Sequence, residues 1–357
     1  MNIPHYTKIH NRFKLKGYFF SAGELKDIGY DFIKEGIPYE VAIGKFIMDW
    51  MDKEDFINVK TSGSTGDPKV IKISKQAMVS SAIRTGDFFN VEIGDSALHC
   101  LPADFIAGKM MLVRAMILGL SLDLVRPTAD PMKDVYKSYD FVAMTPMQAH
   151  HSLEKLDQIK TLIIGGAPIY PELNERLVAL HNNCFETYGM TETITHIAAS
   201  KLSIPKKPFH ALDGIQLKVD GEGCLVVDAP DITDQLIHTN DLVEMHDEKT
   251  FTYLGRRDNI INSGGVKISP EVVERKLAQH IEFPFFLHGI PDKILSQKLI
   301  MVVEGNIDQA KEVEQQLSAC QTLDKFEVPN AIYFVSEILK NNGKYLRAKT
   351  VDTLKID

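Results

Sequence analysis

Residues 61 to 69 read Thr61-Ser62-Gly63-Ser64-Thr65-Gly66-Asp67-Pro68-Lys69, a run of small hydroxyl and glycine residues closed by a lysine. Glycine lets a backbone turn its N–H groups toward one point with no side chain in the way. Ser and Thr hydroxyls add donors to the same anion, and Lys69 would bring a mobile charge. This is the chemistry of a phosphate cradle. The run departs from the G-x-x-x-x-G-K-S/T phosphate loop, because the lysine follows Asp-Pro and no Ser or Thr stands directly after it. By itself it also fits a Ser/Gly linker. Against the linker, Phe56-Ile57-Asn58-Val59 before it and Val70-Ile71-Lys72-Ile73 after it read as the two arms of a hairpin.

Two further stretches carry suitable groups. Ile163-Ile164-Gly165-Gly166-Ala167-Pro168 follows a strand-like run and precedes a helix-like one, so its backbone can approach a ligand at the strand's carboxyl end. Glu186-Thr187-Tyr188-Gly189-Met190-Thr191-Glu192-Thr193 sets an aromatic face, which suits a purine, near a hard carboxylate oxygen, which suits Mg²⁺. Taken singly, Tyr188 reads as a core aromatic, Glu192 as a surface acid and Lys344 as a lysine in a solvated tail.

Elements must hold these groups, and the chain has the means to build them. Its 357 residues are enough for two domains, and 44% hydrophobic with 25% charged is an ordinary globular balance. A formal charge of −8 gives no support to a nucleic-acid surface. No run approaches the roughly 18 apolar residues of a membrane helix, and residues 1–8 lack the apolar core of a secretion signal. Cys100, Cys184, Cys224 and Cys320 are too scattered for a zinc site or a disulfide framework, so a reducing cytoplasm is the expected compartment.

Periodicity supplies the scaffold. Ser21 can cap a helix through Leu25, Ile28 and Phe32; Pro38 can open one carrying Val41, Phe46 and Trp50; Ser74 can cap a third. From residue 97 short apolar runs alternate with helical patterns, which argues for βαβ units and a largely parallel sheet. Past residue 212 short strands separated by Asp-Gly, Gly-Glu-Gly and His-Asp turns read as an antiparallel subdomain. The fold expected is therefore α/β: a large N-terminal domain, 1–257, with a mostly parallel sheet plus an antiparallel subdomain, and a small C-terminal α+β domain, 258–357.

The motifs taken together resemble those of the adenylate-forming enzymes, the superfamily of acyl-CoA synthetases, peptide-synthetase adenylation domains and luciferases. Thr-Ser-Gly-Ser-Thr-Gly-x-Pro-Lys at 61–69 resembles its first signature and Tyr188-Gly189-Met190-Thr191-Glu192-Thr193 its second. The resemblance implies that residues 61–66 and Lys69 hold phosphate and that Gly165, Gly166 and Ala167 line the nucleotide pocket. It places Tyr188 on the adenine with Glu186 and Thr187 near its amino edge, Thr191 on a phosphate and Glu192 on magnesium. His238-Thr239-Asn240-Asp241 resembles the family's Thr-Gly-Asp, so Asp241 would hold the ribose hydroxyls, with Asn240 where glycine is usual. Gly255-Arg256-Arg257-Asp258 resembles Gly-Arg-x-Asp, giving Arg256 to ribose or phosphate and Asp258 to a hinge. Gly264 and Gly265 would approach coenzyme A. Asn342-Gly343-Lys344-x-x-Arg347 resembles the C-terminal Asn-Gly-Lys-x-x-Arg and makes Lys344 the catalytic lysine, although the usual upstream Pro-Arg-Thr is replaced at Leu339-Lys340.

By that resemblance the expected reaction is ligation of a carboxylic acid to coenzyme A. Mg·ATP gives an acyl-adenylate, and a mobile small domain then exchanges Lys344 for the Gly264-Gly265 loop. Only 60 residues precede Thr61, fewer than typical members carry, and this abbreviation is most like the short bacterial o-succinylbenzoate:CoA ligases of menaquinone synthesis. Lys109, Thr195 and His196 are the expected binders of a second substrate carboxylate. Another aryl- or acyl-CoA ligase, or an adenylating protein that loads a carrier or only binds nucleotide, is the alternative. Partners are small molecules, with no nucleic acid and no membrane; homodimers are common in the family.

Overall fold

The structure is a computed structural model and describes residues 3–60, 70–180, 183–341 and 344–354. The glycine run at 61–69, with the site residues Thr61, Ser62, Gly63, Ser64, Thr65, Gly66 and Lys69, lies outside them. So do Asn342 and Gly343. Two compact units account for the rest: Met1–Ile169, Leu173–Leu217 and Val227–Ile237 form one, and Tyr170–Glu172, Lys218–Val226 and His238–Asp357 the other.

In the first unit six of the described strands run parallel, in the order Lys14–Leu15, Ser121–Leu124, Ser96–His99, Tyr139–Met144, Ile159–Ile164 and Asn183–Gly189. Consecutive residues of a strand point to opposite faces, and here both faces are buried. Phe141, Ala143 and Ile163 join a core with Met78, Val79 and Met110 of helices Lys75–Phe89 and Ile106–Leu118. Val142, Leu162 and Ile164 join another with Ala149, Leu173 and Leu177 of helices Pro146–His151 and Pro171–Val178. Helices on both sides of a parallel sheet are what the alternation of patterns demanded. Asn183–Gly189 then turns back antiparallel into His196–Lys201, which pairs with Phe209–Ala211.

The expected helix starts are present. Ser21 caps Ala22–Glu35 with a reciprocal bond from Glu24, and Ser74 caps Lys75–Phe89 by accepting from the Ala77 N–H at 3.4 Å. Pro38 occupies the first turn of Pro38–Trp50, where its missing N–H removes no bond.

In the second unit, strands Ile237–Met245 and Thr250–Arg256 form an antiparallel pair. The tail folds as a small sheet in which Phe285–Asp292 pairs antiparallel, and Ala331–Val335 parallel, with Ser296–Glu304. Alternate residues again serve two cores: Leu287, Leu299, Met301 and Val303 pack with helix Pro270–Leu277, while Phe286, Ile300 and Val302 pack with Val351 of the last helix. Ser269 stands before helix Pro270–Leu277, but its hydroxyl donates to Leu254 O at 3.1 Å instead of capping.

Candidate active site

Several of the expected residues meet where the parallel strands end. Gly165 follows strand Ile159–Ile164, and its N–H extends the ladder by donating to Met144 O at 3.1 Å. A Cβ on Gly165 would lie 2.4 Å from Thr187 Oγ1, so only glycine lets the two strands approach here. Thr187 Oγ1 in turn donates to Ile164 O at 3.1 Å. Gly166 has φ +90°, the left-handed region that glycine enters without strain. Glu186 is only 5% exposed; it accepts from Ile169 N–H at 3.3 Å and is ion-paired with Lys206. Gly165, Gly166 and Ala167 are thereby tied to Glu186 and Thr187, two segments distant in sequence. Tyr188 is half-buried, its ring 5.9 Å from that of Phe209 and tilted by 55°.

The turn after Tyr188 is built around Thr193, which is fully buried. Its hydroxyl accepts from Met190 N–H at 2.9 Å and lies 2.8 Å from Thr195 O, drawing the two ends of the turn together. Gly189 makes this closure feasible, since a Cβ there would stand 2.2 Å from Thr195 O. Ile194 sits at φ +66°, a conformation uncommon for a β-branched residue. The result holds Thr191 half-buried and Glu192 exposed at the tip. An exposed carboxylate there suits a hard, hydrated cation such as Mg²⁺.

Beneath that turn lies a residue that the pattern reading passed over. Arg114 of helix Ile106–Leu118 is 2% exposed, yet every hydrogen bond its guanidinium makes among the described residues goes to a neutral group. Nε donates to Thr85 Oγ1 at 3.3 Å, Nη1 to Met111 Sδ at 3.5 Å and Nη2 to Thr195 Oγ1 at 3.1 Å. Burial lowers its pKa to about 9. Thr85 Oγ1 also lies 3.2 Å from Nε2 of His196, and burial, with Arg114's charge beside it, holds that imidazole well below its ordinary pKa. Thr195 and His196 are thus linked to helices Lys75–Phe89 and Ile106–Leu118 through Thr85 and Arg114. Lys109 faces elsewhere: its Nζ donates to Ala103 O at 2.6 Å and lies 5.4 Å from the centre of the Phe46 ring. The only sequence signal for Arg114 is that it is one of two cations, with Lys109, in a helix whose other residues are apolar or glycine.

The second unit groups another set. Asp241 and Arg256 are directly opposite across the strand pair, and Arg256 Nη2 reaches Asp258 Oδ2 at 3.1 Å. Burial works against the Arg256 charge, but Asp258 and Asp241 outweigh it and hold the pKa above its ordinary value. Asn240, standing where glycine is usual, donates from Nδ2 to Asp258 Oδ2 and accepts at Oδ1 from Arg257 Nη2, each at 3.1 Å. The substitution therefore ties the Asp241 strand to the Asp258 turn. Gly264 and Gly265, at φ +60° and +85°, form the tip between strands Ile261–Ser263 and Val266–Ile268. Lys344 begins a two-residue strand whose register sets it opposite Asn341.

Residues 41–232, more than half of the chain, match the profile of the family described as AMP-binding enzyme. The chain belongs to that family. As an AMP-binding enzyme it is 35% identical to a solved acyl-CoA synthetase (AMP-forming)/AMP-acid ligase II-like protein from Dyadobacter fermentans. That match covers 88% of this chain and 94% of the other, with a TM-score of 0.59. The 2-succinylbenzoate--CoA ligase of Bacillus cytotoxicus is 27% identical over 333 residues, 81% of this chain and 68% of the ligase. O-succinylbenzoate coenzyme A synthetase (MenE) from Bacillus subtilis, solved with ATP and magnesium ion, shares the fold. Its TM-score is 0.73 at 22% identity, over 86% of this chain and 74% of that one.

Proposed function

We propose that this AMP-binding enzyme joins o-succinylbenzoate to coenzyme A at the expense of ATP, through an acyl-adenylate, as a step toward menaquinone. The observation that carries the choice of acid is Arg114. A buried cation with only neutral partners costs several kcal/mol unless an anion joins it. O-succinylbenzoate has two carboxylates, and only one can react. The spare carboxylate would sit against Arg114, accept from Thr195 and repay that burial. Curated relatives named 2-succinylbenzoate--CoA ligase support the same acid.

The chain's residues divide the work as follows. The 61–69 run and Thr191 hold phosphates, Gly165 to Ala167 and Tyr188 hold the base, and Asp241 and Arg256 hold the ribose. Mg²⁺ on Glu192 would supply charge neutralisation at the phosphates. Lys344 stabilises the charge that gathers when a carboxylate attacks the α-phosphate. Movement of 258–357 about Asp258 then withdraws Lys344 and brings in Gly264 and Gly265 for the thiol. The enzyme works in the cytoplasm, and a homodimer is the assembly to test by sedimentation.

The test is AMP release from a panel of acids with and without coenzyme A. We expect o-succinylbenzoate to be adenylated and converted to its thioester, with benzoate and other monocarboxylates at least about 100-fold poorer in kcat/KM. Equal rates with monocarboxylates would refute the assignment of the acid. AMP release that never leads to thioester would favour a carrier-loading enzyme.

A further inference from the structure

Arg347 opens the last helix, Arg347–Val351, three positions after Lys344. Its side chain is 15% exposed, and both terminal nitrogens of its guanidinium are engaged in one neighbourhood. Nη1 donates to Leu287 O at 2.7 Å and to Glu274 Oε1; Nη2 donates to Glu274 Oε2 at 2.8 Å and stands 3.8 Å from Glu271 Oε1. The guanidinium carbon lies 5.7 Å from the centre of the Phe286 ring. Glu274 is fixed from the other side by Leu287 N–H at 2.6 Å. Burial raises its pKa, with Arg347 pulling the opposite way.

From this knot bonds run in two directions. Glu271 Oε1 accepts from Asn259 Nδ2, and Asn259 ends the turn Arg257–Asn259 that contains Asp258. Toward Lys344, Leu346 N–H donates to Leu339 O at 2.8 Å and closes the loop that contains the lysine. Thr350, fully buried, accepts from Leu339 N–H at 3.2 Å and donates to Leu346 O at 3.0 Å. The Tyr345 ring rests 6.0 Å from Phe286. The Arg347 guanidinium lies between them, beside Glu271 on one side and over the Phe286 ring that Tyr345 meets on the other.

We propose that Arg347 is a positioning residue for the adenylation step, fixing the Lys344 loop to helix Pro270–Leu277 and the Asp258 turn so that they move as one piece. The inference rests on the reading of Lys344 and Asp258 given above. It is specific to arginine, because the planar fork meets two carboxylate oxygens and a carbonyl together, whereas a lysine ammonium cannot hold that geometry.

The test uses the full chain and separates the two half-reactions. Arg347→Lys keeps the charge and loses the fork. We expect it to melt within a few degrees of wild type, to keep KM for ATP and acid within about 2-fold, and to lose about 30-fold in kcat of adenylation. Thioester formation from supplied acyl-adenylate should stay within about 3-fold. Glu271→Gln, which leaves the Glu274 pair and weakens the link to Asn259, should lose adenylation selectively but less, and it decides the matter if Arg347→Lys does not fold. A variant pair with wild-type adenylation, or with both half-reactions falling equally, overturns the proposal. Lys344→Ala is the control: if it too adenylates normally, the reading of Lys344 has failed, not the role of Arg347.

Discussion

Two buried arginines, Arg114 in the first unit and Arg347 in the second, differ in what surrounds them. Arg347 is surrounded by the carboxylates of Glu274 and Glu271 and by a backbone carbonyl. Burial works against its charge, but those acids outweigh it and keep its pKa above the ordinary value. Arg114 is more deeply buried, and the described residues give it two hydroxyls and a thioether. Burial, with no acid to oppose it, brings the Arg114 pKa down. The first arrangement is a completed ion pair, whose value is structural. The second is a charge held at a cost, and such a cost persists in a protein when a ligand repays it.

That contrast can be broken most forcefully at Glu274. Glu274→Ala leaves Arg347 buried without its bidentate partner, and the expected loss is about 3–5 kcal/mol of stability, read from urea unfolding. A loss below about 1 kcal/mol would mean the pair is not holding the tail. Arg114→Met should behave in the opposite way. Replacing an unpaired buried charge by an apolar chain of similar length is expected to leave stability unchanged or raise it. In kcat/KM for o-succinylbenzoate the same change should cost about 100-fold, with little change for ATP. If Arg114→Met instead unfolds the protein, Arg114 is structural and the comparison collapses. Lys109→Ala sharpens it further: should KM for the acid rise far more than KM for ATP, Lys109 belongs to the acyl pocket as its position after Ala107-Gly108 suggested. If both constants stay within about 2-fold of wild type, the Ala103 and Phe46 contacts are its whole role.

The difference between the two arginines also explains what the sequence could and could not convey. Helix Ile106–Leu118 was legible to the residue, because an apolar run bounded by Phe105 and by Gly119 at φ +76° has clear ends. What the pattern does not encode is which cation of a helix buried from Gly108 to Ile117 meets a distant segment, since no polar face marks a direction. The sequence reading therefore takes Lys109 and passes over Arg114, whose Nη2 donates to Thr195 Oγ1. The hairpin of Lys14–Leu15 and Tyr18–Phe19 was missed for another reason. Its turn uses Lys16 and Gly17 at φ +51° and +85°, and Lys-Gly is a weaker signal than Asn-Gly for that geometry. In the tail, a short 3-10 turn, Ile307–Gln309, precedes helix Ala310–Ala319. Asn306 caps that turn through its side chain, and local bonds of this kind escape a reading based on apolar spacing.

The smallest effect concerns His196, which shares Thr85 with Arg114. In the folded protein its pKa lies well below 6.5, chiefly through burial and then through the Arg114 charge, while in the unfolded chain it titrates near 6.5. Below about pH 6.5 the unfolded state therefore binds a proton that the folded state refuses. The His196 contribution to stability is fully present above that pH and is lost as pH falls, by up to about 1.4 kcal/mol per unit. His99, also buried, is lowered to about 4, and burial lowers His288 as well, both with the same sign, so the described residues of wild type carry three such slopes. His196→Gln should remove one and leave the other two, and the gap between the two proteins should shrink steadily between pH 6.5 and 5. In Arg114→Met most of the His196 slope should survive, because burial is its larger cause. A slope unchanged by His196→Gln would show that this imidazole is accessible to water, and with it the floor on which Arg114 sits.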